Sequence, residues 1–282
     1  MTAVRRTRRD VLRALAAVCA VAAAACTRPR HRTATTSADA AATITPPHAR
    51  PSQTTSLPPA KTPETPAVGS SAPVSHSVAP PGQPAAFLAR SESHRAEISL
   101  SFHGSGDPAL ALELLGIAEH AGAHLTIFAV GQWLAQHPTM ARRITGGGHE
   151  LANHTWSHPS LGRLGAADVL MEITRCRDEI AKRTGAPGSY FRPSAMRTPS
   201  PRVLQAAGAA GYRTVVGFDV DTLDFRDPGP VVVSRLAATA KAGSIVSMHL
   251  GHPGTVAALP AILRDLHDRG LAAVTVSALL RP

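Results

Sequence analysis

From residue 97 onward, short apolar runs alternate with segments in which apolar residues recur three or four positions apart. The runs at 97–102, 124–130, 149–152, 189–192, 212–218, 244–249 and 272–276 read as strands, and the stretches between them have helical period. In the longest stretch Val169, Ile173, Cys176 and Ile180 fall on one face. That stripe predicts a helix buried along one side, with Cys176 a small hydrophobe and not a reactive thiol. The helix after the first strand carries its own punctuation: Asp107 as N-cap, Pro108 at the first helical position and Gly122 past the end. Strands separated by helices predict a parallel sheet. Seven such repeats predict an α/β fold, an incomplete or distorted (β/α) barrel of about seven strands.

The pattern is absent upstream. Twelve of the 24 prolines fall between Cys26 and Ser93, in a tract of Ala, Thr, Ser and Pro whose one aromatic residue is Phe87. Such a composition cannot bury enough apolar surface to fold, and a Pro-rich chain serves as an extended spacer. Residues 27–93 therefore read as a disordered linker and residues 94–282 as the folded domain. Residues 1–26 read as an export signal. Arg8 and Arg9 form a twin-arginine pair, an apolar run follows from Ala14 to Ala25, and Cys26 stands directly after three alanines. The run is too short to span a bilayer as a helix. Small residues before a cysteine resemble a lipoprotein cleavage site, which predicts an exported protein held at the membrane through a lipid on Cys26.

The formal net charge is +10, of which residues 1–26 hold +4. The remaining +6 is spread without a Lys/Arg run, so nucleic acid is not an expected partner. Three cysteines, two of them within the first 26 residues, exclude a disulfide scaffold, and no recurring period supports a repeat array. The sequence shows no oligomer interface, and a monomer is expected.

The chemistry-bearing residues sit at predicted strand C-termini: His103, His154, Arg192, Asp221 with Asp224, and His249. Loops converge at that end of a barrel, and active sites are built there. His154 and His158 have His-x-x-x-His spacing, which lets two imidazoles meet one divalent metal from a single turn. His249 ends an apolar strand and His252 follows three residues later, near enough in sequence to join a site. His149 and Glu150 sit on or before their strand and read as structural. Trp156 reads equally as a sugar platform or as a wall of the metal loop.

Together these residues resemble the polysaccharide deacetylase, or NodB-homology, family from about residue 97 to residue 280. The match includes Thr126-Ile127-Phe128-Ala129-Val130-Gly131 and the run from Gly148 through His154-Thr155-Trp156-Ser157-His158 to Pro159. The resemblance implies deacetylation of an acetylated sugar polymer such as peptidoglycan, hydrolysis of a carbon–nitrogen non-peptide bond with a divalent metal, usually zinc. It makes His154 and His158 metal ligands. It makes Arg192 the residue that orients the base, His249 the general acid, and Asp224 the carboxylate that holds that acid.

The chain departs from the family at the first strand. The family reads Thr-Phe-Asp-Asp-Gly, with a base and a metal ligand in the two aspartates, where this chain reads Ser101-Phe102-His103-Gly104-Ser105. Three readings follow. In the first the site is rebuilt, with His103 as base or as third ligand beside His154 and His158, and with Asp221 or Asp227 as new partner of Arg192. In the second the domain is a non-catalytic glycan-binding relic. In the third Asp107 swings in as the missing carboxylate. Retention of His154, His158, Arg192, Asp224 and His249 together favours the rebuilt site.

Overall fold

The computed structural model describes residues 82–282. The signal, Cys26 and most of the linker lie outside the described residues. The described chain forms nine strands: β1 Ala86–Leu88, β2 Glu97–Gly104, β3 Thr126–Ala129, β4 Glu150–Asn153, β5 Tyr190–Phe191, β6 Thr214–Val216, β7 Val220–Asp221, β8 Ile245–His249 and β9 Ala272–Ala273. They pair in parallel in the order β1-β6-β5-β4-β3-β2-β8-β7, with β9 on the foot of β2. Helices follow most strands, and the curled parallel sheet is the expected distorted (β/α) barrel.

Local sequence explains the helices. Asp107 caps Pro108–His120 by accepting a 2.8 Å hydrogen bond from Ala109 N, and Gly122 past its end adopts φ +66°. Val169, Ile173, Cys176 and Ile180 are all buried along Ala166–Thr184. Burial pushes the Cys176 thiol up to about 12, so it is inert as a nucleophile.

Three elements differ from the sequence reading. First, order begins before residue 94: β1 pairs with β6, Ala85 is buried, and Phe87 packs on the cluster around Phe191 and Val215. Five residues without proline around the tract's single aromatic bury enough surface to add a strand. Second, the run at 212–218 does not continue straight. β6 pairs with β5 and β1, and the chain then bends so that Asp219 N donates to Ile245 O and β7 pairs with β8. This bend brings the sheet round onto β8. Third, the run at 272–276 is strand only at Ala272–Ala273, because Val276–Leu279 is a helix capped by Thr275.

Alternation along β2 sets up the site. Ile98, Leu100 and Phe102 join the main core. Ser99, Ser101 and His103 occupy the alternate positions, which face the barrel interior. At the foot of the interior, Glu150 accepts from Thr126 Oγ1 (2.9 Å), Ser277 N (3.1 Å) and Ser277 Oγ. Glu150 is thus structural, as expected. His103 and His249 stand at the C-terminal ends of β2 and β8, and His154 directly follows β4.

Candidate active site

The loop after β4 is held in place by its own side chains. Asn153 is buried, accepts from Thr155 N (2.9 Å), and donates to Ile173 O (2.8 Å) and Tyr212 Oη (2.9 Å). Glu172 accepts from both Ser157 N and Ser157 Oγ at 2.8 Å. These anchors hold Thr155 (φ 70°) and His158 (φ 58°) in the left-handed region, which non-glycine residues enter only where surroundings over-determine them. Trp156 is a wall of this loop: it lies under the Arg175 guanidinium (4.3 Å), and a Cβ on Gly131 would stand 2.6 Å from its ring.

His154 is buried, and its Nδ1–H donates to the Arg192 carbonyl at 2.9 Å. The lone pair of a neutral ring is then on Nε2, which faces Nδ1 of His103 at 2.8 Å. The ring of His158 lies 4.8 Å from that of His154. One nitrogen from each of His103, His154 and His158 lies within 4.8 Å of the other two, so the set suits one divalent ion. Burial, reinforced by the neighbouring imidazoles, holds His103 and His154 well below the ordinary histidine range. Burial lowers His158 as well. Neutral imidazole is the form a metal needs.

Both His103 nitrogens are engaged, Nδ1 with His154 and Nε2 with Ser247 Oγ at 3.0 Å. His249 stacks on His103 with ring centroids 4.3 Å apart. Its Nδ1–H donates to Asp224 Oδ1 at 2.7 Å, and its backbone N donates to Asp224 Oδ2 at 2.7 Å. The hydroxyl of Thr255 completes the carboxylate's shell at 2.6 Å. Burial opposes ionisation of Asp224, but the His249 hydrogen bond and charge outweigh it and hold the carboxyl below its usual value. His249 Nε2 has no partner among the described residues, and 23% of the side chain is exposed.

Several expectations need correction. Arg192 bonds neither His103 nor a carboxylate, as a residue that orients a base would. It is buried at the barrel's centre, where Nε donates to Val216 O (3.1 Å) and Nη2 donates to Gly217 O and Ser101 Oγ (both 2.9 Å). Its Cζ sits 4.0 Å from the centroid of the Phe128 ring, and Nη1 has no partner. Neither Asp221 nor Asp227 bonds it. Asp221 accepts from Leu223 N, and Asp227 pairs with His252 Nδ1 at 2.8 Å. Burial pulls the guanidinium down to about 9, with Asp221 opposing through its charge alone. The Asp227–His252 pair leaves His252 outside the set of three imidazoles. Asp107 stays exposed at its helix cap and supplies no carboxylate to the site. Ser247, Asn153, Glu172 and Thr255 carry structural roles here that the sequence reading did not assign.

The pattern of the polysaccharide deacetylase family matches residues 91–215. The chain is 31% identical over 199 residues to a chitooligosaccharide deacetylase of Sinorhizobium fredii, covering 64% of this chain and 90% of that protein. It is 30% identical over 183 residues to the peptidoglycan-N-acetylmuramic acid deacetylase PdaC of Bacillus subtilis, covering 64% of this chain but only 38% of that protein. Among solved structures it resembles a family 4 carbohydrate esterase pseudoenzyme from Bacillus anthracis, with TM-score 0.66 and 21% identity over 70% of this chain and 69% of that one. At that identity the likeness speaks for the fold alone. Likeness over nine-tenths of the rhizobial enzyme, on a barrel that gathers the family's histidines at one end, decides the assignment: the chain belongs to the polysaccharide deacetylase family.

Proposed function

We propose that this protein is a metal-dependent hydrolase that removes acetyl groups from an N-acetylated cell-envelope carbohydrate. The observation that carries the reading is the convergence of three neutral imidazole nitrogens beside His249, whose Nε2 is free. His103, His154 and His158 would hold the ion, with zinc the first choice for a three-imidazole set. When bound there, an ion would supply Lewis acidity toward the acetyl carbonyl and would lower the pKa of a water molecule.

The protein's own residues do the rest. With both His103 nitrogens occupied, His249 is the one histidine left to move protons. Its Nε2 accepts a proton as water adds to the acetyl carbon. It returns that proton to the amide nitrogen as the carbon–nitrogen bond breaks, giving acetate and a free amine. Asp224 keeps the ring oriented, with Nε2 turned away from the carboxylate. Acetate release from acetylated chitooligosaccharides and peptidoglycan fragments by the zinc-loaded protein tests this. The reading requires wild-type activity that falls by about 10²–10⁴-fold in His249→Ala; full activity in that variant removes His249 from the role.

A second reading has support of its own. The first-strand carboxylates are absent, Arg192 Nη1 is left without a partner, and one solved structure on this fold is described as a pseudoenzyme. A non-catalytic glycan-binding domain would keep its glycan affinity in His154→Ala and His158→Ala, with no acetate released by wild type.

We also propose export, with Cys26 lipidated and the linker holding the domain off the membrane. The twin arginines, the short apolar run and the alanines before Cys26 support it. Labelled palmitate should enter the wild-type protein and not Cys26→Ala.

A further inference from the structure

The metal reading of His103 leaves its Nε2 to be explained. That nitrogen lies 3.0 Å from Oγ of Ser247, a residue only 1% exposed whose hydroxyl makes no other hydrogen bond among the described residues. Strand register produces the contact: β2 and β8 pair Ser101 with Ser247 and His103 with His249. The two serines therefore face each other one step below the two histidines. Ser101 is committed elsewhere, donating to Val246 O (2.7 Å) and accepting from Arg192 Nη2 (2.9 Å). Ser247 is left to His103.

We propose that Ser247 is a positioning residue for metal binding, holding His103 by Nε2 so that Nδ1 is aimed at the ion. The inference rests on the three-imidazole reading above. A hydroxyl suits the task because it both donates and accepts. Without an ion, His154 Nε2 can only accept, so His103 Nδ1 carries the proton and Nε2 accepts from the Ser247 hydroxyl. An ion on Nδ1 requires that nitrogen to be deprotonated, so the proton moves to Nε2 and is donated to Ser247 Oγ. One side chain at position 247 thus serves both tautomers without moving. An apolar residue serves neither.

Calorimetric zinc titration of the full-length protein tests this in a cycle of wild type, Ser247→Ala, His103→Ala and the double variant. Ser247→Ala should weaken zinc binding by about 10–100-fold. Ser247→Thr should restore it. In the His103→Ala background the serine substitution should add no further loss, because the contact it removes is already gone. The thermal midpoints of the metal-free variants show that each is folded. If Ser247→Ala does not fold, the isosteric pair Ser247→Thr and Ser247→Val poses the same comparison. Zinc binding by Ser247→Ala at wild-type strength overturns the proposal, as does an equal loss with and without His103. A wild type that takes up no zinc instead overturns the metal reading itself, a failure visible before any substitution is compared.

Discussion

Nδ1 of His103 stands 2.8 Å from Nε2 of His154, although 51 residues separate them. His103 lies on β2 and His154 follows β4, with β3 between the two strands. β3 carries Phe128 in register with His103, and His154 stands two positions past Ala152, which pairs with Phe128. β2 thus presents a ring nitrogen to the histidine loop.

The position after His103 is closed to a carboxylate. A Cβ on Gly104 would stand 2.9 Å from both Ala129 Cα and Ile127 Cγ2. The first of these is backbone, which cannot step aside cheaply. Gly104→Asp should therefore lower stability by about 1–3 kcal/mol through overpacking, and should not rebuild the family's site. Thermal unfolding of the metal-free variant checks the first half, and acetate release the second.

Asn153 ties the metal loop to two other elements. Asn153→Ala removes the acceptor for Thr155 N and the donors to Ile173 O and Tyr212 Oη, all buried. A cost of about 1–3 kcal/mol in stability is expected. Zinc affinity should fall with it, because the strained Thr155 and His158 backbone loses its restraint. Denaturant unfolding and metal titration on the same variant measure the two effects.

Asp224 accepts three hydrogen bonds with two oxygens. Asp224→Asn leaves one accepting oxygen and turns an amide NH₂ toward donors. Turnover of an acetylated substrate should fall by about 10²-fold or more, with less change in KM, since the loss lies in orienting His249 and not in holding the glycan.

His149 gives the acid limb of stability a specific source. It is buried, accepts from Leu125 N at 3.1 Å, and its Nε2 stands 3.4 Å from Glu119 Oε1 without a hydrogen bond. Burial lowers its pKa in the folded protein, only partly offset by the Glu119 charge. The unfolded chain therefore takes up the proton first. Stability is full above about pH 6.5 and is lost as pH falls toward the depressed folded value. His149→Asn, which keeps an acceptor for Leu125 N, should flatten the decline in thermal midpoint between pH 7 and pH 5. An unchanged slope assigns the decline to other groups.

Much of the fold was legible from local pattern. The caps around Pro108–His120 and the stripe of Val169, Ile173, Cys176 and Ile180 depend on residues within a turn or two of each other, and they stand as expected. His154, His158, Asp224 and His249 were legible from their motifs, and the structure gathers them at one end of the barrel. What stayed hidden depends on closure. Nothing near Arg192 in sequence shows that its guanidinium lies inside the barrel against Phe128, 64 residues earlier in the chain. The bend between β6 and β7 appears only when β8 is there to receive it. Ser247 left a faint signal: Ser-x-His occurs at Ser101-Phe102-His103 and again at Ser247-Met248-His249. Its meaning needs the knowledge that those two strands pair in register.

We propose that His103 takes the place of a carboxylate in binding metal. Calorimetric zinc titration of the full-length wild type, His154→Ala and His103→Ala tests it most directly. One ion per chain in wild type, with tight binding lost in both variants, is the predicted result. Binding that survives His103→Ala at wild-type strength while failing in His154→Ala would contradict it.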